Sequence, residues 1–255
     1  MKRVLLCDEN SRVDYYPSEP LVRRAAVALL DWATRGADGV RGDDERYIEV
    51  VEDRQRQFNR WKASALERAR TKGEPPPHIG VYSSCGDIVN WLLLRLGVRS
   101  DYINRAEGPD GWEMSLNVSD FERAPEFVSV TAGTLLVPEP GDVLRFGSQG
   151  SGHDLAHIFA VRERSEHEKH SILYCSDYGQ AHDERSICGK RTSKKLWKAP
   201  DGWRAVGYST SATTHGLGKI VHKWLPLWAA IQGASKRREL VEALVPDDFE
   251  GGVEL

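Results

Sequence analysis

Residues 80–98 read GVYSSCGDIVNWLLLRLGV, a small polar turn running into apolar positions Ile88, Val89, Trp91, Leu92, Leu93 and Leu96 and closed by Gly97. This spacing predicts a buried helix, with glycine in its usual place just past the helix end. Cys85 then lies at the helix mouth, where unpaired backbone amides and the helix dipole favour a thiolate. Ser84 and Gly86 are small and leave room for a carbonyl to approach. A buried, inert cysteine would have the same neighbours, so its chemistry depends on partners elsewhere in the chain.

Upstream, Gly73 and Glu74-Pro75-Pro76-Pro77 form a boundary, because prolines cannot continue a helix and push their predecessors into extended backbone. Before that boundary two helices are expected. Residues 20–36 place Leu21, Ala25, Val27, Leu29, Leu30 and Trp32 at helical spacing, and residues 43–72 begin acidic and end basic along an amphipathic pattern. The charge-dense face of the second is read as solvated surface, without chemistry. Downstream the period changes to that of short strands: 134–137, 142–146, 157–162, 171–175 and 203–209, with a turn near Ser165 to Lys169. Residues 190–204, with six cations and two tryptophans, are read as a solvated basic loop in preference to a grip on an anionic polymer. Residues 220–232 are expected to be helical despite Pro226, with an acidic tail after Pro246.

A nucleophilic thiol needs a base, and histidine is the side chain matched to neutral pH. His157 opens an expected strand directly after a glycine-rich loop and is the preferred base; His153, inside that loop, is the alternative. A third group usually orients the imidazole. A turn centred on His167 would set Asp177 opposite His157, which makes Asp177 the candidate orienter, on the same face as Cys175. A turn aspartate preceding Tyr178-Gly179 is the competing role.

Ser84-Cys85-Gly86 opening an apolar helix, Pro140-Gly141-Asp142-Val143 opening a strand and His157-Ile158-Phe159-Ala160-Val161 opening the next resemble the bacterial NlpC-type and CHAP-type papain-like peptidases and amidases. Those enzymes cut the peptide part of peptidoglycan. The resemblance spans roughly residues 78–180, and departs from the family in having Ser84 just before the cysteine and no glycine soon after the histidine. It implies an α+β fold of papain-like type: a nucleophile helix packed on a small antiparallel sheet, with N-terminal helices added. The expected organisation is an N-terminal helical region over 1–73, a papain-like catalytic domain over 74–210, and a C-terminal helix and tail over 211–255. The implied activity is a cysteine hydrolase cleaving amide bonds in peptidoglycan peptides, as a bacterial toxin, effector or lysin. A non-catalytic papain-like scaffold that binds a protein partner is the alternative, as is a transglutaminase or deamidase forming the same acyl-enzyme.

Other chemistries lack their motifs. The chain has no GxxxxGK[ST], no GxGxxG after a strand and no HExxH, and the spacing of Cys175, His182 and Cys188 matches no familiar zinc pattern. Neither metal nor organic cofactor is expected. A formal net charge of −3 creates no field that calls for nucleic acid. The longest apolar run near the C-terminus, 224–231, is too short to cross a bilayer. Acidic Asp8 and Glu9 interrupt the N-terminal apolar run before a signal core could form, so synthesis in the cytoplasm without a signal peptide is expected. A peptidoglycan substrate would then be reached by a non-classical or injection route, with an immunity protein as a further partner. Four dispersed cysteines suit reduced thiols better than a disulfide framework.

Overall fold

The computed structural model describes residues 1–7, 17–34, 63–75, 87–97, 128–130, 134–148, 157–177, 190–199, 202–208, 219–236 and 242–255. Among them the fold is mixed α and β, with antiparallel sheets and few helices. The larger sheet contains β2 (Val128–Ser129), β3 (Val143–Ser148), β4 (His157–Glu166), β5 (His170–Asp177), β6 (Lys190–Ala199), β7 (Gly202–Tyr208) and β8 (Lys219–Leu225). Its order is β2-β8-β3-β4-β5-β6-β7, and a further pairing of β7 with β8 closes β3 to β8 into a barrel. Closure removes sheet edges and gives every barrel strand an inward and an outward row.

The two rows explain the sequence of β4. Phe159 and Val161 face the barrel interior with Leu144, Leu173, Cys175, Leu196 and Val221, while Ile158 and Ala160 join an outer core with Val143 and Leu225. Both faces are covered there, so after His157 the strand continues as an unbroken apolar run over 158–161, and polar residues resume from Arg162 onward. The outer core is completed by helices. In α1 (Glu19–Ala33), Leu21, Val22, Ala25, Ala26, Leu29, Leu30 and Ala33 form one buried stripe. Val89, Trp91, Leu92 and Leu93 of α2 (Asp87–Arg95) pack beside it, with Leu227, Ala230 and Ile231 of α3 (Leu227–Lys236). A helical segment at 63–72 precedes Gly73; the remainder of the helix expected over 43–72 lies outside the described residues.

The chain ends meet. β1 (Lys2–Leu5) lies between β9 (Glu242–Val245) and β10 (Val253–Glu254), antiparallel to both. Val4, Ala243, Val245 and Phe249 enter the same outer core as α1, α2, β3 and β4. The regions on either side of the expected catalytic segment therefore share its core.

Three expectations are corrected. Residues 134–137 are described but belong to no strand: Pro138 and Pro140 lack the N–H that a ladder needs, and Leu136 instead packs into the barrel interior. Residues 190–199 are a strand, not a basic loop, because their even positions Thr192, Lys194 and Leu196 turn inward and the backbone pairs with β5 over 190–197 and with β7 over 194–199. The helix expected over 220–232 is β8 followed by α3, and Pro226 stands at the change, where a missing donor costs least.

Candidate active site

The Pro140-Gly141-Asp142-Val143 turn is a structural joint. Gly141 has φ +91°, and a Cβ there would come within 2.5 Å of Leu227 Cδ2, so glycine is required twice over. Asp142 is buried, and its carboxylate accepts four donors: Arg23 Nη1 at 2.8 Å and the Leu227 N–H at 2.9 Å on Oδ1, Trp224 Nε1 at 2.8 Å and the Glu139 N–H at 3.1 Å on Oδ2. Burial works against the Arg23 cation, but hydrogen bonding and charge attraction to Asp142, helped by Glu19 and Glu139, hold its pKa above the usual value. Through these four contacts Asp142 joins α1, β3, β8 and α3.

Cys85 and His153 lie outside the described residues. His157 is the first residue of β4, and its backbone position pairs with Phe146 of β3. α2, into which the Cys85 segment leads, packs against Ile158 and Ala160 of β4 in the outer core. Trp91 of α2 stacks on Trp32 of α1 with ring centroids 5.8 Å apart. Two residues beyond Trp32, Thr34 Oγ1 lies 3.4 Å from Ser176 Oγ, next to the end of β5. α2 is thus docked toward the barrel end where β4 starts and β5 finishes.

The expected register between β4 and β5 is corrected. Ala160 pairs with Ser176 and Val161 with Cys175, so continuing the ladder sets Asp177 beside Phe159, two positions from His157. The cause is the turn, closed by the His167 N–H donating to His170 O, together with a bulge between Val161 and Glu163. A shift of two residues preserves alternation, so position 157 and Asp177 remain in the inward row with Cys175.

Asp177 sits in a polar cluster inside the barrel. Its Oδ2 accepts from Lys194 Nζ at 2.5 Å and from Thr192 Oγ1, and Lys194 Nζ also donates to Thr192 Oγ1 at 2.8 Å. Lys194 is 1% exposed, with its ammonium 4.2 Å from the centre of the Phe159 ring. Thr192 and Lys194 were invisible as site residues in a segment read as a loop; strand alternation through Leu196 is the signal that finds them. Neighbouring Cys175 is inert by comparison: burial pushes its thiol up to about 12, opposed by Lys194 and Arg162 and reinforced by Asp177.

Of the sulfur and imidazole groups considered for zinc, Cys175 alone is described, and the described residues contain no group of three or more His, Cys, Asp or Glu able to hold a metal ion. Among the described residues, no helix is long and apolar enough to cross a membrane. Comparisons with protein-family models, with curated proteins and with solved structures find no match.

Proposed function

We propose that the chain is a papain-like cysteine hydrolase that cleaves amide bonds in peptidoglycan peptides, with Cys85 as nucleophile and His157 as base. The supporting observation is the docking of α2 against β4, at the barrel end where β4 begins and β5 closes on Asp177. It joins the helix that follows Cys85 to the strand that His157 opens. In this reading the Cys85 thiolate attacks the carbonyl and amides near the start of its helix stabilise the oxyanion. His157 protonates the leaving amine and then activates water to release the acyl-enzyme. Delivery to a target cell wall and neutralisation by an immunity protein belong to the same proposal.

Digestion of purified sacculi, with mass analysis of the released fragments, tests it. Cys85→Ala and His157→Ala should both abolish release while leaving the circular dichroism spectrum unchanged, and His153→Ala should be milder. Retained turnover in folded Cys85→Ala would end the hydrolase reading, and a larger loss in His153→Ala than in His157→Ala would move the base into the loop.

One observation favours a non-catalytic scaffold instead: the Asp177 carboxylate is already engaged by Lys194 and Thr192. A scaffold needs no activated thiol, so selective alkylation of Cys85 at mildly acidic pH separates the two.

A further inference from the structure

The Lys194–Asp177 pair is costly for a structural element. Removing two ions from water is unfavourable, and well-packed apolar residues in their place often leave a protein as stable or more so. The pair lies in the inward row among Leu173, Cys175, Leu196 and Phe159, where an apolar filler would fit the surroundings. A carboxyl in such a place keeps its proton unless a cation faces it. Lys194 supplies that cation, while Thr192 holds both the ammonium and the carboxylate and fixes their geometry.

We infer that Lys194 is a positioning residue, holding Asp177 as an oriented carboxylate in the inward row that position 157 opens, at the barrel end against which α2 docks. The inference rests on the hydrolase reading. An ionised Asp177 stabilises an imidazolium nearby and so favours the thiolate–imidazolium pair; a neutral Asp177 does not. Among the described residues, the charged and titratable groups shown near this carboxylate are Lys194 on β6 and Cys175 on β5, with Lys190 as the backbone partner of Asp177. Cys175 stays a thiol through the neutral range, so it does not confuse the readout.

The test measures the rate of Cys85 alkylation by iodoacetamide across pH, located by mass spectrometry on the full chain, with circular dichroism on the same samples. Wild type should be modified at Cys85 at about pH 6, well below the range of a free thiol. Lys194→Met should lower that rate about tenfold or more, Asp177→Asn should match it, and the double variant should be no slower than either, as expected of residues acting through one another. Lys194→Arg, which keeps the charge, should recover most of the rate. A folded Lys194→Met with the wild-type profile would overturn the inference. If Lys194→Met does not fold, Asp177→Asn decides: a folded variant labelled at the wild-type rate is equally fatal. An unreactive wild-type Cys85 would instead defeat the hydrolase reading, and the inference with it; a reactive wild type with unaffected variants sinks only the role of Lys194.

Discussion

Replacing Asp142 by asparagine tests the joint that binds α1 to the barrel. The amide keeps one acceptor oxygen, so two of the four donors retain a partner, while the other two face an NH₂ group. Each buried donor left unsatisfied costs about 1–3 kcal/mol. Arg23, whose side chain is 14% exposed, also loses its closest counter-ion at 2.8 Å. Glu19 and Glu139 remain to Arg23 and soften that loss, so the whole change should cost about 4 kcal/mol. Against a typical stability of about 5–15 kcal/mol this is a large fraction. With a urea dependence of about 2 kcal/mol per molar, the unfolding midpoint should fall by about 2 M. Urea titrations followed by circular dichroism on wild type, Asp142→Asn, Arg23→Met and the double variant would measure it. The cycle should return a coupling of about 1.5 kcal/mol or more between Arg23 and Asp142. A loss below about 1 kcal/mol for Asp142→Asn, or additive single changes, would show that the four contacts do not carry the joint.

The raised pKa of Cys175 makes stability fall with alkali: the folded thiol keeps its proton up to about 12, whereas the unfolded one releases it from about 9. Its contribution is therefore intact below the unfolded value and is lost as pH rises toward the folded value, at up to about 1.4 kcal/mol per pH unit. Urea titrations across that window should show a shallower decline for Cys175→Val than for wild type, and identical slopes would mean the thiol is not buried as described. Gly97 and Gly73 form a matched pair, at φ +69° and +65°. A Cβ on Gly97 would lie 2.3 Å from Glu242 O of β9, whereas one on Gly73 meets nothing within 4 Å. Gly73→Ala should cost about 1 kcal/mol from backbone strain alone, and Gly97→Ala more than about 2 kcal/mol because β9 must also move. Thermal melts giving the reverse order would contradict the packing of α2 against β9.

Local chemistry was legible in the sequence wherever a residue's role is decided by its immediate neighbours. The stripe of α1, the helix closed by Gly97, and the strands expected at 142–146, 157–162 and 171–175, which the structure sets at 143–148, 157–166 and 170–177, follow from periodicity and punctuation, which are properties of a few adjacent residues. The β4–β5 hairpin was legible to within two residues of register, and its inward row survived because strand alternation repeats every two. Only the tertiary structure decided the rest. Pairing of β7 with β8 closes the barrel, and pairing of β6 with β5 sets Lys194 on the inward face, where it meets Asp177. Lys190 to Ala199 looked like a loop because its cations are read as solvent-seeking until a partner charge is known, and that partner comes from a different strand. Asp142 is legible in the sequence only as part of the stretch that carries the family resemblance, and its structural role comes from Arg23, Trp224 and Leu227, which converge on it from distant parts of the chain. β1 was missed for the same reason: a four-residue strand has no stability alone, and its partners β9 and β10 lie at the opposite end of the sequence. A sequence states which groups are present and their local spacing. The energy of a buried charge depends on which other group faces it, and that is set by long-range packing.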